Sequence, residues 1–89
     1  MRLATVLGQV VSTVKQPGLE NLTLLLVQDA LDAEYVAVDL IGAGTGEVVL
    51  VACGGAARVA AGDRVPTDRA VVAIVDTVSR AGTVTYHKA

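Results

Sequence analysis

Apolar residues in this chain come in short runs broken by glycine, proline and acidic residues, the rhythm of strands and turns rather than helices. In Met1–Thr13, Leu3, Thr5, Leu7, Gln9 and Val11 share one strand face, and Ala4, Val6, Gly8, Val10 and Ser12 share the other. Both faces are largely apolar, which predicts a strand with a core on one side and a covered or interfacial surface on the other. Gly8, in mid-strand, predicts a bulge or bend. Val14–Leu22 reads as a connection turning at Pro17-Gly18. Thr23–Asp29 is the second strand, Ala30–Glu34 a polar link and Tyr35–Ile41 the third strand. Gly42, Gly44 and Gly46 then sit at every second position, a spacing suited to a tight, irregular reversal. Glu47–Cys53, with its run Val48–Val51, is the fourth strand. Gly54-Gly55 ends it, and alanine-rich Ala56–Ala61 predicts one or two helical turns. Gly62-Asp63 and Pro66 mark a loop. Val71–Val78 is the fifth strand, interrupted by Asp76. After the turn at Ala81-Gly82, Thr83–His87 is a short sixth strand or an ordered tail.

Five or six short strands with one helical turn between the fourth and fifth predict an all-β fold, a small closed OB-like β-barrel formed by residues 1–89 as a single domain. Composition adds one point. The 89 residues are 53% hydrophobic, with no Phe or Trp and only two tyrosines, Tyr35 and Tyr86. A chain this short buries only about 60–65% of its unfolded surface, so the aliphatic surplus is expected outside, as subunit interface. Seven basic residues against nine acidic ones give a net charge of −2 and no cationic stripe, which argues against nucleic-acid partners. The single cysteine, Cys53, excludes an internal disulfide and fits a reducing compartment. No signal-peptide pattern or membrane-length apolar run is present, so a soluble, cytoplasmic protein without a membrane partner is expected.

Candidate chemistry is sparse. A dinucleotide fingerprint needs a third glycine one residue beyond Gly46 and a helix after it; a P-loop needs a lysine where Glu47 stands. The glycine run therefore reads as a structural turn. Cys53 and His87 lack a third catalytic partner, and one His with one Cys falls short of a zinc set. Asp29, Asp32 and Glu34 form at most a weak cation site, and a solvated loop fits them better. No cofactor, metal or enzymatic activity is expected. Asp39 and Asp76 interrupt apolar segments and should either face solvent or accept hydrogen bonds and pair with a cation, within or between subunits, with Lys15 and Arg58 as the expected partners. Asp68 reads as a turn or cap residue accepting backbone N–H bonds.

Four segments together resemble the bacterial microcompartment vertex proteins of the EutN/CcmL type. They are V-L-G-x-V-V-S-T-V-K (Val6–Lys15), L-x-x-L-T-L-L-L-V-Q (Leu19–Gln28), A-V-D-x-x-G-A-G-x-G-E-x-V-L-V followed by G-G-A-A-R (within Val36–Arg58), and D-x-x-x-x-x-I-V-D-x-V (Asp68–Val78). The resemblance implies a homopentamer with a barrel core, capping the fivefold vertices of a polyhedral shell in the cytoplasm whose facets are hexameric shell proteins of a different fold. Carboxysomes and catabolic compartments both use this pattern. On this reading the interface involves strand edges and the glycine turn, with Asp39, Arg58 and Asp76 as polar anchors. Gly42, Gly44 and Gly46, before Glu47, would permit close backbone approach, and Ser12, Thr13 and Thr45 are candidates for the rim of an axial opening. The link Ala30–Glu34 is shorter than in many such proteins, and Thr83–Ala89 has no specific match. The rival readings are an OB-like nucleic-acid-binding module and a small enzyme subunit using Cys53.

Overall fold

The computed structural model of the chain describes residues 1–13 and 15–89; Val14, in the expected connection and the first matching segment, lies outside the described residues. The elements in order are β1 (Arg2–Val10), β2 (Thr23–Asp29), β3 (Glu34–Asp39), β4 (Val48–Cys53), α1 (Gly55–Ala61), β5 (Arg69–Ile74), β6 (Thr77–Arg80) and β7 (Thr83–His87). Five strands close in the order β1-β2-β3-β5-β4, and β4 pairs back onto β1. The expected closed barrel with a short helix between its fourth and fifth strands is thus observed. β1 has β2 on one side along most of its length and β4 on the other from Arg2 to Thr5. Its register shifts between Val6 and Gly8, the bulge that Gly8 predicts.

Alternation along the strands sends valine inward. Val6, Val27, Val49, Val51 and Val71 are at most 1% exposed and, with Ala4, Leu25 and Ala37, fill the barrel. β-branched side chains are stiff and compact, which suits so narrow an interior. A second, smaller cluster lies outside the barrel wall, where Ala57 of α1 packs on Ala52 of β4 and Ala70 of β5, with Leu40 and Val72 beside them. Alanine on all three elements lets the helix lie close to the strands. Gly54 (φ 59°) enters the helix and Gly62 (φ 95°) leaves it, its N–H donating to the Arg58 carbonyl at 2.8 Å.

The closing segment differs from expectation. Val71–Val78 is not one strand. β5 ends at Ile74, because β4 offers no ladder partner beyond the Val49–Ile74 pair, and the Val75 N–H makes a last bond to the Val48 carbonyl at 2.8 Å. The chain then leaves the barrel, and β6 pairs instead with β7 in a separate two-stranded hairpin. Its turn has Ala81 (φ 51°) and Gly82 (φ 79°) in succession, the pair of left-handed residues that a two-residue hairpin loop requires. Thr83–His87 is therefore a strand, but not a barrel strand. β3 also ends sooner than expected, at Asp39 rather than Ile41.

Within one protomer, the close backbone approach falls at a glycine other than those of the reversal. A Cβ on Gly42 or Gly46 would meet nothing within 4 Å; these two are needed for their φ values of 81° and 88°. Gly44 has no positive φ, and a Cβ there would sit 3.3 Å from Glu47 Oε1. By contrast, a Cβ on Gly18 (φ 99°) would run into the Arg64 carbonyl oxygen and press on Pro66 Cδ, because the Pro17-Gly18 turn lies directly on the Arg64–Pro66 loop.

Two stability predictions follow from this packing. Val51→Ala should cost about 2–3 kcal/mol, lowering Tm by on the order of 10 °C or more in thermal unfolding at matched protein concentration. Gly18→Ala should cost at least about 2 kcal/mol, whereas Gly8→Ala, at an open position without positive φ, should change stability by less than ~1 kcal/mol; equal effects in denaturant titrations would refute the loop contact.

Candidate subunit interface

Strand ends carry the carboxylates, and three of these turn toward the backbone. Asp39, the last residue of β3, accepts from the N–H groups of Ile41 and Gly42 on Oδ1, both at 3.1 Å, and of Ala43 on Oδ2 at 3.0 Å. That triple bond to the following loop is why β3 stops there. Glu47 closes the other end, its Oε1 accepting from the Gly44 N–H at 2.6 Å. The loop is then stapled to mid-β1, with Gly46 N–H donating to the Val6 carbonyl (2.8 Å) and Val6 N–H to that of Glu47 (2.9 Å). The reversal is therefore a fixed, bracketed loop.

The second oxygen of Glu47 reaches the far end of the chain. Oε2 lies 2.7 Å from Lys88 Nζ, and the Lys88 N–H donates to the Asp76 carbonyl at 2.7 Å. The hydrogen bond from Lys88, together with that from Gly44, holds the Glu47 carboxyl below its ordinary range; the same bond raises the Lys88 ammonium, with the Asp76 charge adding to it. Glu47 and Asp76 thus converge on Lys88, which fixes the base of the β6–β7 hairpin to the glycine loop through Glu47.

Within one protomer the expected partners do not meet. Among the described residues neither Asp39 nor Asp76 pairs with Lys15 or Arg58. Asp39 is satisfied by backbone N–H groups, and Lys15 Nζ is drawn to the Leu22 carbonyl at 3.3 Å. Arg58 is exposed on α1. Asp68 is no cap either: its carboxylate is 77% exposed and lies 3.7 Å from Arg69 Nη1. The capping falls to its neighbour Thr67, whose Oγ1 accepts from the Arg69 N–H at 3.1 Å. Ser12, Thr13 and Thr45 are exposed, but one protomer does not bring them together. Thr45 is at the loop stapled to Val6, whereas Ser12 and Thr13 follow the end of β1, beyond four more strand residues, or roughly 13 Å.

Sequence reasoning missed a polar layer at one end of the barrel. Asp29 is buried; its Oδ1 accepts from Leu31 (2.9 Å) and Ala33 (3.1 Å), and its Oδ2 lies 3.4 Å from Arg2 Nη1. This commits the carboxylate to its own turn, so Asp29, Asp32 and Glu34 do not share a cation. Beside it, the Arg69 guanidinium stacks 5.1 Å from the centre of the Tyr35 ring. Burial pushes the Tyr35 hydroxyl up, and the Asp29 charge adds to this. Half-buried Cys53 completes the layer, its Sγ 3.7 Å from the Val51 carbonyl. One signal was available: Asp29 continues the inward series Leu25, Val27.

The expected aliphatic surplus is exposed on the barrel's outer wall. Leu3, Leu7 and Val36 are 39%, 39% and 45% exposed. Leu3 pairs with Leu50 across β1–β4, and Val36 with Leu26 across β2–β3, so these side chains form one apolar face over four strands.

Comparison with known proteins places this architecture. Residues 1–76 match the family model described as ethanolamine utilisation protein EutN/carboxysome. The chain is 50% identical to the carboxysome shell vertex protein CcmL of Synechocystis, over 99% of this chain and 95% of that one. It superposes on a solved carboxysome subunit, CcmL, with a TM-score of 0.92 at 47% identity, covering 100% of both chains. On the GrpN pentameric microcompartment shell protein from Rhodospirillum rubrum it superposes with a TM-score of 0.79 at 42% identity, covering 90% of this chain and 100% of that one. A valine-filled five-stranded barrel, a bracketed glycine loop and a match along nearly the whole length together make the chain a member of the EutN/CcmL family.

Proposed function

We propose that this chain is a structural shell protein, five copies of which close into a ring that caps the fivefold vertices of a polyhedral bacterial microcompartment. The observation that carries the reading is full-length likeness: half the residues are shared with a shell vertex protein, and the fold is shared with a pentameric shell protein over all of the latter's length. The geometry suits the role. A closed barrel hides the strand edges that would otherwise recruit further chains without limit, and leaves a leucine-rich wall to meet a neighbour. A head-to-tail contact between two different patches generates a ring when its rotation closes.

The work is then geometric and non-catalytic. A flat lattice of hexameric shell proteins, the proposed partners, cannot close without fivefold defects, and residues 1–89 act as the unit that fills them. Asp39 and Glu47 hold the glycine loop in one shape, so that the surface offered to neighbours is the same in each copy. The rim candidates Ser12, Thr13 and Thr45 come from two separate regions of the protomer. The nucleic-acid reading gains nothing from the tyrosines, since Tyr35 is half-buried beneath Arg69.

Native mass spectrometry of the purified chain should give a pentamer, and mixing it with a hexameric shell protein should convert open sheets or tubes into closed particles under the electron microscope. A chain that stays monomeric at micromolar concentration, or that leaves the sheets open, overturns the reading. Gly44→Val should displace the Glu47 carboxylate, free Lys88 and reduce the pentamer fraction; an intact pentamer would show that the loop does not shape the ring. The pH dependence has a defined sign. The Glu47 contribution is present above the ordinary glutamate range and is lost as pH falls through its lowered pKa; the Lys88 contribution is present below the ordinary lysine range and is lost as pH rises through its raised one. The Gly44 amide resonance should therefore hold steady across neutral pH and move at both extremes.

A further inference from the structure

At one end of the barrel every strand closes its inward series on a polar or sulfur-bearing residue: Arg2 of β1, Asp29 of β2, Tyr35 of β3, Cys53 of β4 and Arg69 of β5. The Asp29 carboxylate is already committed, to the Leu31 and Ala33 N–H groups and to Arg2. Tyr35 Oη and Arg69 Nε are not. Both atoms are buried, and neither has a hydrogen-bond partner among the described residues. A buried donor without an acceptor is costly, and an ion or a water is its usual answer. Burial pushes the Tyr35 hydroxyl up, with the Asp29 charge adding to it, so the phenol keeps its proton and remains a donor through neutral pH.

The two orphaned donors are neighbours, since the Arg69 guanidinium carbon lies 5.1 Å from the centre of the Tyr35 ring. They also flank the shortest seam of the barrel. β3 and β5 pair only at Val38–Ala70 and Asp39–Val71. Tyr35 stands three residues before that ladder begins, where no ladder pair ties its strand to β5. Charge at this end is unbalanced. Arg2 and Arg69 bring two positive charges against the one buried carboxylate of Asp29, while Asp68, 3.7 Å from Arg69 Nη1, is 77% exposed and screened by water. A water would answer the hydrogen bonds and leave the charge; an anion answers both. No open pocket exists among the described residues, so the ligand is small. It enters as the Arg69 side chain, 32% exposed, swings outward.

We propose that this end of the barrel binds one small monovalent anion of halide size, which accepts from Tyr35 Oη and Arg69 Nε and bridges β3 to β5 where their ladder is missing. The site is built by a single copy of the chain and does not depend on the ring.

Crystals soaked in sodium bromide should show an anomalous bromine peak within hydrogen-bonding reach of Tyr35 Oη and Arg69 Nε. In solution the protein should broaden the chlorine NMR resonance of sodium chloride, and added bromide should compete the broadening away. Tyr35→Phe removes the hydroxyl and keeps the ring; Arg69→Lys removes Nε and keeps the charge. Each should weaken chloride binding by roughly tenfold or more while retaining the wild-type far-ultraviolet circular dichroism. A fall in Arg69→Lys then comes from the lost donor, not from lost charge. If one variant does not fold, the other decides. The site is overturned by the absence of a bromine peak at the two donors, by a water there in soaked and unsoaked crystals alike, by a peak without solution broadening (binding at crystal concentration only), or by a folded variant that keeps the wild-type affinity.

Discussion

The girth of a five-stranded barrel decides how this chain distributes its aliphatic residues. So few strands enclose too little space for aromatic or long side chains, and the interior takes valine and alanine, with Leu25 the one leucine in the core cluster. The remaining strand leucines are displaced to the other face. Leu3, Leu7, Leu24, Leu26 and Leu50 are all exposed or half-buried, while Val6, Val27, Val49, Val51 and Val71 are buried. Sorting by size rather than by polarity is what makes both faces of β1 and β2 apolar. A wall built of leucine is a packing surface as well, in a chain without Phe or Trp.

Polar groups are used with a different economy. Three carboxylates at or beside strand ends, Asp29, Asp39 and Glu47, each accept backbone N–H groups from the adjoining turn. Surface ion pairs between flexible side chains contribute little and hold geometry loosely. A carboxylate bonded to two or three N–H groups of one loop removes conformers of that loop outright and is stronger per bond because the acceptor is charged. For a protein whose task is shape, a loop fixed by its own backbone is the more useful device. Lys88 extends it by linking the fixed loop to the end of the chain.

Much of this was legible in the sequence because it is local. Strand positions follow from alternation, the bulge from Gly8, the helix from the alanine run, and the exposed apolar outer face from the two apolar sides of β1. Ladder length was not legible: nothing in Val71–Val78 says that β4 runs out of partners at Ile74, so the departure of the hairpin was missed. The ion-pair assignments failed for a related reason. They matched charges by sign, whereas Asp39 is satisfied by the next four residues, a pattern readable from an aspartate placed before a glycine turn. Gly18 was seen as a turn residue, but its contact with Arg64 joins loops distant in sequence, and no local signal marks it. The apolar surplus announced an interface without saying which elements form it.

Folding and assembly are coupled by this division of residues. A modest core leaves a small chain with little stability to spare, and covering the leucine wall adds to it in proportion to the free-energy gain of association, so the native state becomes concentration-dependent. A head-to-tail contact carries a hazard: unless each copy is turned from the last by an angle that brings the series back on itself, it propagates as an open filament. The hairpin that leaves the barrel at Val75 is held to it at two places, by the Val48 carbonyl and the Glu47 carboxylate, and the Lys88 N–H bond to the Asp76 carbonyl ties its two ends together. Two bonds at its root restrict its direction more than one would, and the one made by a side chain belongs to the residue that also closes the glycine loop, so loop shape and hairpin direction are coupled through Glu47.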